Sequence, residues 1–221
     1  MAQRAGHELE GASAAAILRW AVDTFGAGFA IASSMQDAVL VDLASKIAPG
    51  IDVLFLDTGY HFAETLGTRD AVAASYDVNL ITLTPRRTVA EQDAELGPQL
   101  HDRDPDTCCG MRKVEPLNRA LEGYSAWATG LRRAESITRA GTPVVSYDPK
   151  RDKVKVAPLA NWSDSDVDAY VAEYGVLTNP LLAAGYRSIG CAPCTRAVAA
   201  GEDSRAGRWA GSTKTECGIN L

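Results

Sequence analysis

Five cysteines are the residues of this sequence whose types and spacing point most directly to chemistry. Cys108 and Cys109 are adjacent, and Cys191 and Cys194 form a CxxC pair. Four thiolates in two groups suffice for a tetrahedral zinc ion or an iron–sulfur cluster. The adjacent pair favours the cluster, because neighbouring sulfurs reach one small ion with difficulty, whereas a cubane offers separate iron corners. Zinc remains the main alternative, and buried free thiols are a weaker one.

Cys217 stands apart from these four, near the end of a glycine-rich segment. The surrounding sequence suggests no core for this side chain to fill. It is therefore either an exposed thiol without function or a nucleophile on a mobile arm, and a nucleophile needs nearby positive charge to form its thiolate. The residues alone leave both interpretations open.

Two further features favour an anionic ligand. An apolar run is followed by Ser33, Ser34 and Asp37, at the start of a helical pattern. Backbone N–H groups and the helix dipole attract phosphate at such a position. An ordinary helix cap would have the same residue types. Basic residues also lie beside the thiols, where they would grip phosphate or sulfate, or else remain solvated at the surface. They are Arg112, Lys113, Arg132, Arg133, Arg196, Arg205 and Arg208.

The first half of the chain alternates strand and helix patterns. Strands are predicted over residues 29–33, 51–56 and 79–83, and helices over 12–25, 37–47 and 62–76. This alternation predicts an α/β fold with a parallel sheet, whose ligands bind at the carboxyl ends of the strands. Ser33 and Ser34 should therefore meet Asp57 and Thr58 at one edge of the sheet.

The second half is less regular. Residues 86–107 are predicted to be irregular, a helix follows from Cys108 to Leu121, and strands are predicted over 125–129 and 144–147. Ser163 and Asp166 resemble a capping box that starts a helix ending near Gly175. Regularity fades after Pro180.

Composition restricts the class of protein. The chain has 221 residues, 46% hydrophobic and 23% charged, which suits one globular domain with an appended segment. A net charge of −6 argues against nucleic acid as a partner, and the sequence suggests no secretory or membrane segment. An odd number of cysteines, without such a segment, predicts reduced thiols in the cytoplasm.

Five motifs occur in an order that identifies a family. The sequence resembles the assimilatory adenosine 5'-phosphosulfate (APS) reductases, relatives of the 3'-phosphoadenylyl-sulfate (PAPS) reductases, over nearly its whole length. The motifs are Cys108–Leu117, Thr129–Arg133, Cys191–Arg196, Gly201–Trp209 and Glu216–Gly218.

The resemblance implies a single α/β domain, residues 1–200, similar to the adenine nucleotide alpha hydrolases, and a flexible tail, residues 201–221, that carries the catalytic Cys217. Ser33 and Ser34 would lie in a degenerate pyrophosphatase loop that has lost the glycines of ATP-cleaving members. The full set of substrate-binding residues implied is Ser33, Ser34, Leu56, Asp57, Thr58, Lys113, Arg132, Arg205 and Arg208.

By the same resemblance, Cys108, Cys109, Cys191 and Cys194 would hold one [4Fe-4S] cluster, a mark of the branch that mainly uses APS. Cys217 would form an S-sulfocysteine intermediate, from which thioredoxin or a similar dithiol protein releases sulfite. The cluster is expected to tune the field near the sulfate. The sequence does not fix the oligomeric state, and a homo-oligomer is one possibility.

One position departs from the family pattern. Asn220 stands where the motif usually has His, so the charge available to grip substrate is smaller. Three alternatives are kept. They are a reductase that prefers the 3'-phosphorylated substrate, an ATP-dependent adenylyltransferase or pyrophosphatase of the same fold, and a non-catalytic iron–sulfur or zinc redox sensor.

Overall fold

The computed structural model describes residues 1–219, and within them six strands form one sheet in the order β3-β2-β1-β4-β6-β5. The strands are Phe29–Ala32 (β1), Ile51–Leu56 (β2), Val78–Leu83 (β3), Ala126–Thr129 (β4), Val145–Asp148 (β5) and Lys153–Val156 (β6). Their pairings are parallel, except that β5 runs antiparallel to β6. The predicted α/β architecture with a mainly parallel sheet is confirmed.

Helices cover both faces of this sheet. They are Ala2–Glu8 (α1), Ala14–Phe25 (α2), Val39–Ile47 (α3), Ala63–Ser75 (α4), Val89–Leu96 (α5), Leu100–Arg103 (α6), Pro105–Cys109 (α7), Glu115–Leu121 (α8) and Asp164–Tyr174 (α9). Helix α9 has the predicted capping box between Ser163 and Asp166 and ends at Gly175, whose φ is +62°. A left-handed backbone of this kind suits glycine and terminates a helix.

The central strands are buried on both sides, so successive residues belong to different parts of the core. Ile31 and Phe55 pack with helices α2 and α3 in the larger cluster. Leu54 and Trp127 pack with Leu117 of α8 on the opposite face. Continuous apolar runs are expected for parallel strands covered by helices.

Several sequence predictions were wrong. Residues 86–107, predicted to be irregular, contain α5, α6 and the start of α7. Helix α5 begins at a capping box between Thr88 and Glu91, a signal that is visible in the sequence. Helix α1 and strand β6 were not predicted, and the helix expected from Cys108 begins earlier, at Pro105.

The order of the strands determines where a ligand can bind. β1 lies between β2 and β4, and the chain continues from β1 to β2 but from β4 to β5 and β6, in opposite directions across the sheet. A crevice opens at the carboxyl ends of strands where the order reverses in this way. Over residues 1–219 no helix has the length and apolar character needed to cross a membrane.

We expect Leu18→Ala to lower the free energy of unfolding by about 2–5 kcal/mol. Leu18 is 0% exposed in α2, and its truncation leaves a cavity. Leu96→Ala, at a helical position that is 36% exposed, is the control and should cost less than about 1 kcal/mol. Urea denaturation followed by circular dichroism measures both, and equal losses would contradict this account of the core.

Candidate functional site

A cleft at the carboxyl edge of the sheet brings together most of the predicted site residues. Ser33 and Ser34 enter it from the end of β1, and Leu56 enters it from the end of β2. The predicted residues that line it are Ser33, Ser34, Leu56, Lys113, Arg132, Arg205, Arg208 and Cys217. Residues that lie far apart in the chain therefore share one site.

Asp57 and Thr58 are not among the lining residues of this cleft. The Asp57 carboxylate accepts a hydrogen bond from the Gly59 N–H at 3.0 Å. Thr58 is fully buried, and its hydroxyl lies 3.2 Å from the Cys191 sulfur. Arg112 donates from Nε to the Thr58 carbonyl, so this residue lies on the cysteine side of the site.

The loop after β1 is shaped by short-range hydrogen bonds. Asp37 precedes Ala38, the N-cap residue of α3, and accepts a hydrogen bond from the Val39 N–H at 3.1 Å, and burial raises the pKa of Asp37. Ser33 accepts from the Met35 N–H at 3.3 Å, and Met35 has a left-handed backbone with φ of +58°. This turn leaves Ser33 and Ser34 at the wall of the cleft.

The cysteines of the two predicted pairs come from different elements. Cys108 and Cys109 end α7, and a π-helical turn, Gly110–Val114, follows them directly. Cys191 precedes the short helical turn Ala192–Cys194, whose first N–H, that of Ala192, donates to the Tyr60 carbonyl at 2.7 Å. π-Helical turns are frequent at functional sites, and this one carries Arg112 and Lys113.

Cys108 and Cys194 have raised pKa values because of burial and of neighbouring cysteines. Burial raises the pKa of Cys108 to about 11, with further contributions from Cys191 and Cys194. Burial and the neighbouring Cys191 raise the pKa of Cys194 to about 11 as well. Among residues 1–219, no group of three or more His, Cys, Asp or Glu side chains is close enough to bind a metal ion, and every cysteine is a free thiol.

Cys217 is only 6% exposed and packs with Cys109 and Trp209. The expectation that it has no core to fill was therefore wrong. A hydrogen bond from the Cys109 thiol holds the pKa of Cys217 well below its usual value, and the positive charges of Lys113 and Arg208 act in the same direction. The same hydrogen bond raises the pKa of Cys109. The thiolate is thus favoured at Cys217.

Lys113 and Arg208 bring positive charge close to that sulfur. Burial opposes the charge of Lys113, but Cys191 and Cys217 raise its pKa overall. The Arg208 guanidinium lies 4.5 Å from the centre of the Trp209 ring, and its Nε has no hydrogen-bond partner among the described residues. A buried donor without a partner is costly, which indicates an anionic ligand at this position.

The basic residues singled out in the sequence separate into two groups. Arg132 pairs with Asp164 at 2.7 Å, and its Nη1 has no partner within the described part of the chain. Arg133 instead pairs with Glu10, and Arg196 pairs with Glu202. Neither Arg133 nor Arg196 lines the cleft.

Sequence reasoning missed Arg139 and assigned no role to Glu216. Arg139 lines the cleft from the short helical turn Ile137–Arg139. Its guanidinium lies 2.7 Å from Glu216, the residue that precedes Cys217. The position of Glu216 beside Cys217 was a signal in the sequence, but nothing there identified its partner. Asn220 lies outside the described residues.

Comparison with known proteins finds similarity over most of the chain. Residues 28–197 match the model of the phosphoadenosine phosphosulfate reductase domain. An adenosine 5'-phosphosulfate reductase of Streptomyces coelicolor is 68% identical over 220 residues, covering 100% of this chain and 93% of that protein. The reductase of the same name from Mycolicibacterium smegmatis is 57% identical and covers 100% and 94%.

A solved structure also matches. The phosphoadenylyl-sulfate (PAPS) reductase of Candida auris, in a phosphate complex, superposes with a TM-score of 0.77 at 31% identity. The superposition covers 86% of this chain and 94% of that chain.

Gly190→Ala should weaken the binding of inorganic phosphate about tenfold, as expected for loss of one charge-assisted contact. A Cβ at this position would overlap the Arg208 guanidinium and displace it from the cleft. Gly67→Ala is the control, because its added Cβ meets nothing within 4 Å. Calorimetric titration measures both, and unchanged affinity in Gly190→Ala would contradict the assigned role of Arg208.

Proposed function

The chain belongs to the phosphoadenosine phosphosulfate reductase family, and from this premise we propose that it reduces APS to sulfite and AMP in sulfate assimilation. The observation that carries the proposal is the position of Cys217 in a cleft lined by Lys113, Arg205 and Arg208, where the positive charges of Lys113 and Arg208 favour its thiolate. Relatives that cover the whole chain and are named APS reductases support it. We place the enzyme in the cytoplasm, where its free thiols stay reduced.

In the first half-reaction, the Cys217 thiolate attacks the sulfur of the bound phosphosulfate. A bond forms between the two sulfur atoms, and the bond from that sulfur to the bridging oxygen breaks, so AMP leaves with its electron pair. Lys113 and the arginines stabilise the charge that develops on AMP, a task for fixed cations rather than for proton transfer. Cys217 becomes an S-sulfocysteine.

In the second half-reaction, a thiolate of thioredoxin or a similar dithiol protein attacks the Cys217 sulfur, and sulfite leaves. The second thiol of that partner resolves the mixed disulfide, so the dithiol supplies both electrons and Cys217 is regenerated. Because Cys217 is nearly fully buried, the tail must open before a second protein can reach it.

We also propose that Cys108, Cys109, Cys191 and Cys194 hold a [4Fe-4S] cluster. The effect of Cys191 and Cys194 on the pKa of Cys108 supports the fit, as do the Thr58 hydroxyl at Cys191 and the nearby charge of Lys113. Within residues 1–219, no three metal-binding side chains surround one small ion. A cubane cluster does not require this, because its iron atoms occupy separate corners. When bound, the cluster would tune the electrostatic field beside the sulfate.

Cys217→Ser should reduce anaerobic sulfite release from APS, with thioredoxin as reductant, by at least about a thousandfold, because the hydroxyl is a far weaker nucleophile at neutral pH. Binding of AMP should remain, since the arginines are untouched. Turnover at the wild-type rate would rule out Cys217 as nucleophile. A rate that is higher with PAPS than with APS in the wild-type protein would favour the 3'-phosphorylated substrate instead.

Anaerobically purified protein should contain about four irons and four acid-labile sulfides per chain. Cys194→Ser should lose most of this iron, whereas Cys217→Ser should retain it, because Cys217 is not a proposed ligand. Iron and sulfide analysis measures both variants on the same preparation. Zinc in place of iron would contradict the cluster.

A further inference from the structure

We propose that Arg139 is a positioning residue that holds Cys217 in the cleft by binding the carboxylate of Glu216. The catalytic meaning of this inference rests on the proposed function, but the contact itself belongs to the folded chain. Glu216 and Cys217 are consecutive, so their Cα atoms lie about 3.8 Å apart. Fixing the side chain of Glu216 therefore restricts the place that Cys217 can occupy.

The contact between the two side chains is bidentate. Arg139 donates from Nε to Glu216 Oε1 at 2.7 Å and from Nη2 to Oε2 at 2.8 Å. Thr138 adds a hydrogen bond to Oε1 at 3.2 Å. The side chains of Arg139 and Glu216 are only 11% and 7% exposed. Paired N–H bonds from one guanidinium to one carboxylate combine strength with a fixed orientation.

Glu135 holds Arg139 in place from the other side. It accepts from Arg139 Nη1 at 2.6 Å, and its backbone carbonyl accepts from the Ser204 hydroxyl at 3.1 Å. Arg139 is thus oriented by a residue of its own loop as well as by Glu216. Burial disfavours the charge of Glu216, yet the bonds and charges of Arg139 lower the pKa of Glu216 overall, so the carboxylate stays ionised.

Arg205 connects this contact with the anion cleft. It lines the cleft, and its Nη2 donates to the Thr215 carbonyl at 3.0 Å and lies 3.3 Å from Glu216 Oε2. A phosphosulfate bound at Arg205 would therefore contact a guanidinium that also contacts Thr215 and Glu216, the two residues before Cys217. The tail is thus held beside the expected binding site of the anion.

The chain offers a matched control for Glu216. Glu202 is also a tail glutamate paired bidentately with an arginine, Arg196, at 2.9 and 3.0 Å. Its side chain is 35% exposed, and neither partner lines the cleft. Exposed pairs contribute little, whereas removing one partner of a buried pair leaves the other charge uncompensated.

The test is the anaerobic rate at which iodoacetamide alkylates Cys217 in the full-length holoenzyme. Trypsin cleaves after Lys214, so mass spectrometry of the peptide 215–221 reports this cysteine separately from the other four. Glu216→Gln should increase the rate at least about tenfold, whereas Glu202→Gln should leave it within about twofold of wild type. A wild-type rate in Glu216→Gln would overturn the proposal.

A double-mutant cycle identifies Arg139 as the partner. Arg139→Gln should increase the alkylation rate as Glu216→Gln does, and the double variant should be no faster than either single variant. If the rate increase in the double variant equals the product of the two single increases, the two residues act independently. If Arg139→Gln does not fold, Arg139→Lys replaces it, and loss of the bidentate contact should still give an intermediate rate.

A kinetic readout separates positioning from general stability. In a single-turnover experiment, Glu216→Gln should slow AMP release about tenfold. Glu216→Asp should lose less rate than Glu216→Gln, and Glu202→Gln should release AMP at the wild-type rate. Equal losses in Glu216→Gln and Glu202→Gln would contradict a positioning role. Because alkylation requires no turnover, a protein inactive toward APS would refute the proposed function while the alkylation rates still decide the role of Arg139.

Discussion

Positive charge gathered in a partly buried cleft is the constraint on which this structure depends. Lys113, Arg132, Arg139, Arg205 and Arg208 all line the same cavity. Cations removed from water are destabilising unless anionic groups lie beside them. The protein supplies such groups with carboxylates at Arg132 and Arg139, and with thiols near Lys113. Burial lowers the pKa of Arg208 although the thiols of Cys191, Cys217 and Cys194 act in the opposite direction, and its Nε lacks a partner among residues 1–219.

The same constraint links the cysteines to the substrate. Cys217 is the residue at which an ionised sulfur is favoured, and the cations that favour it also line the cleft where an anion would bind. A nucleophile and its anionic target repel each other in water, and fixed cations offset that repulsion. In the proposed reaction, a nucleophile on the tail would meet the nucleotide in the cleft and later a second protein outside it. Such an arrangement needs a contact that holds the tail and can also be released.

Local signals were sufficient for much of the framework. The alternation of apolar runs and helical patterns predicted β1, β2, β3 and the helices between them to within a few residues. Prediction failed where side chains depend on distant partners. Strand β6 has Lys residues at alternate positions, and Lys155 lies over the ring of Trp127, which is remote in sequence. Residues 86–107 look polar because the apolar faces of their short helices are small.

The types of chemistry available to the protein follow from its amino-acid sequence, because thiols and guanidinium groups at characteristic spacings are properties of residue type and order. The sequence was sufficient to single out the five cysteines and the basic residues beside them, and to predict a parallel sheet with a binding edge. Which of those residues meet depends on the folding of the whole chain. It turned Arg133 and Arg196 away from the cleft, buried Thr58 against Cys191, and brought Arg139 to Glu216. These contacts join residues up to 133 positions apart, and pairing over such separations depends on how the sheet and loops pack rather than on local sequence.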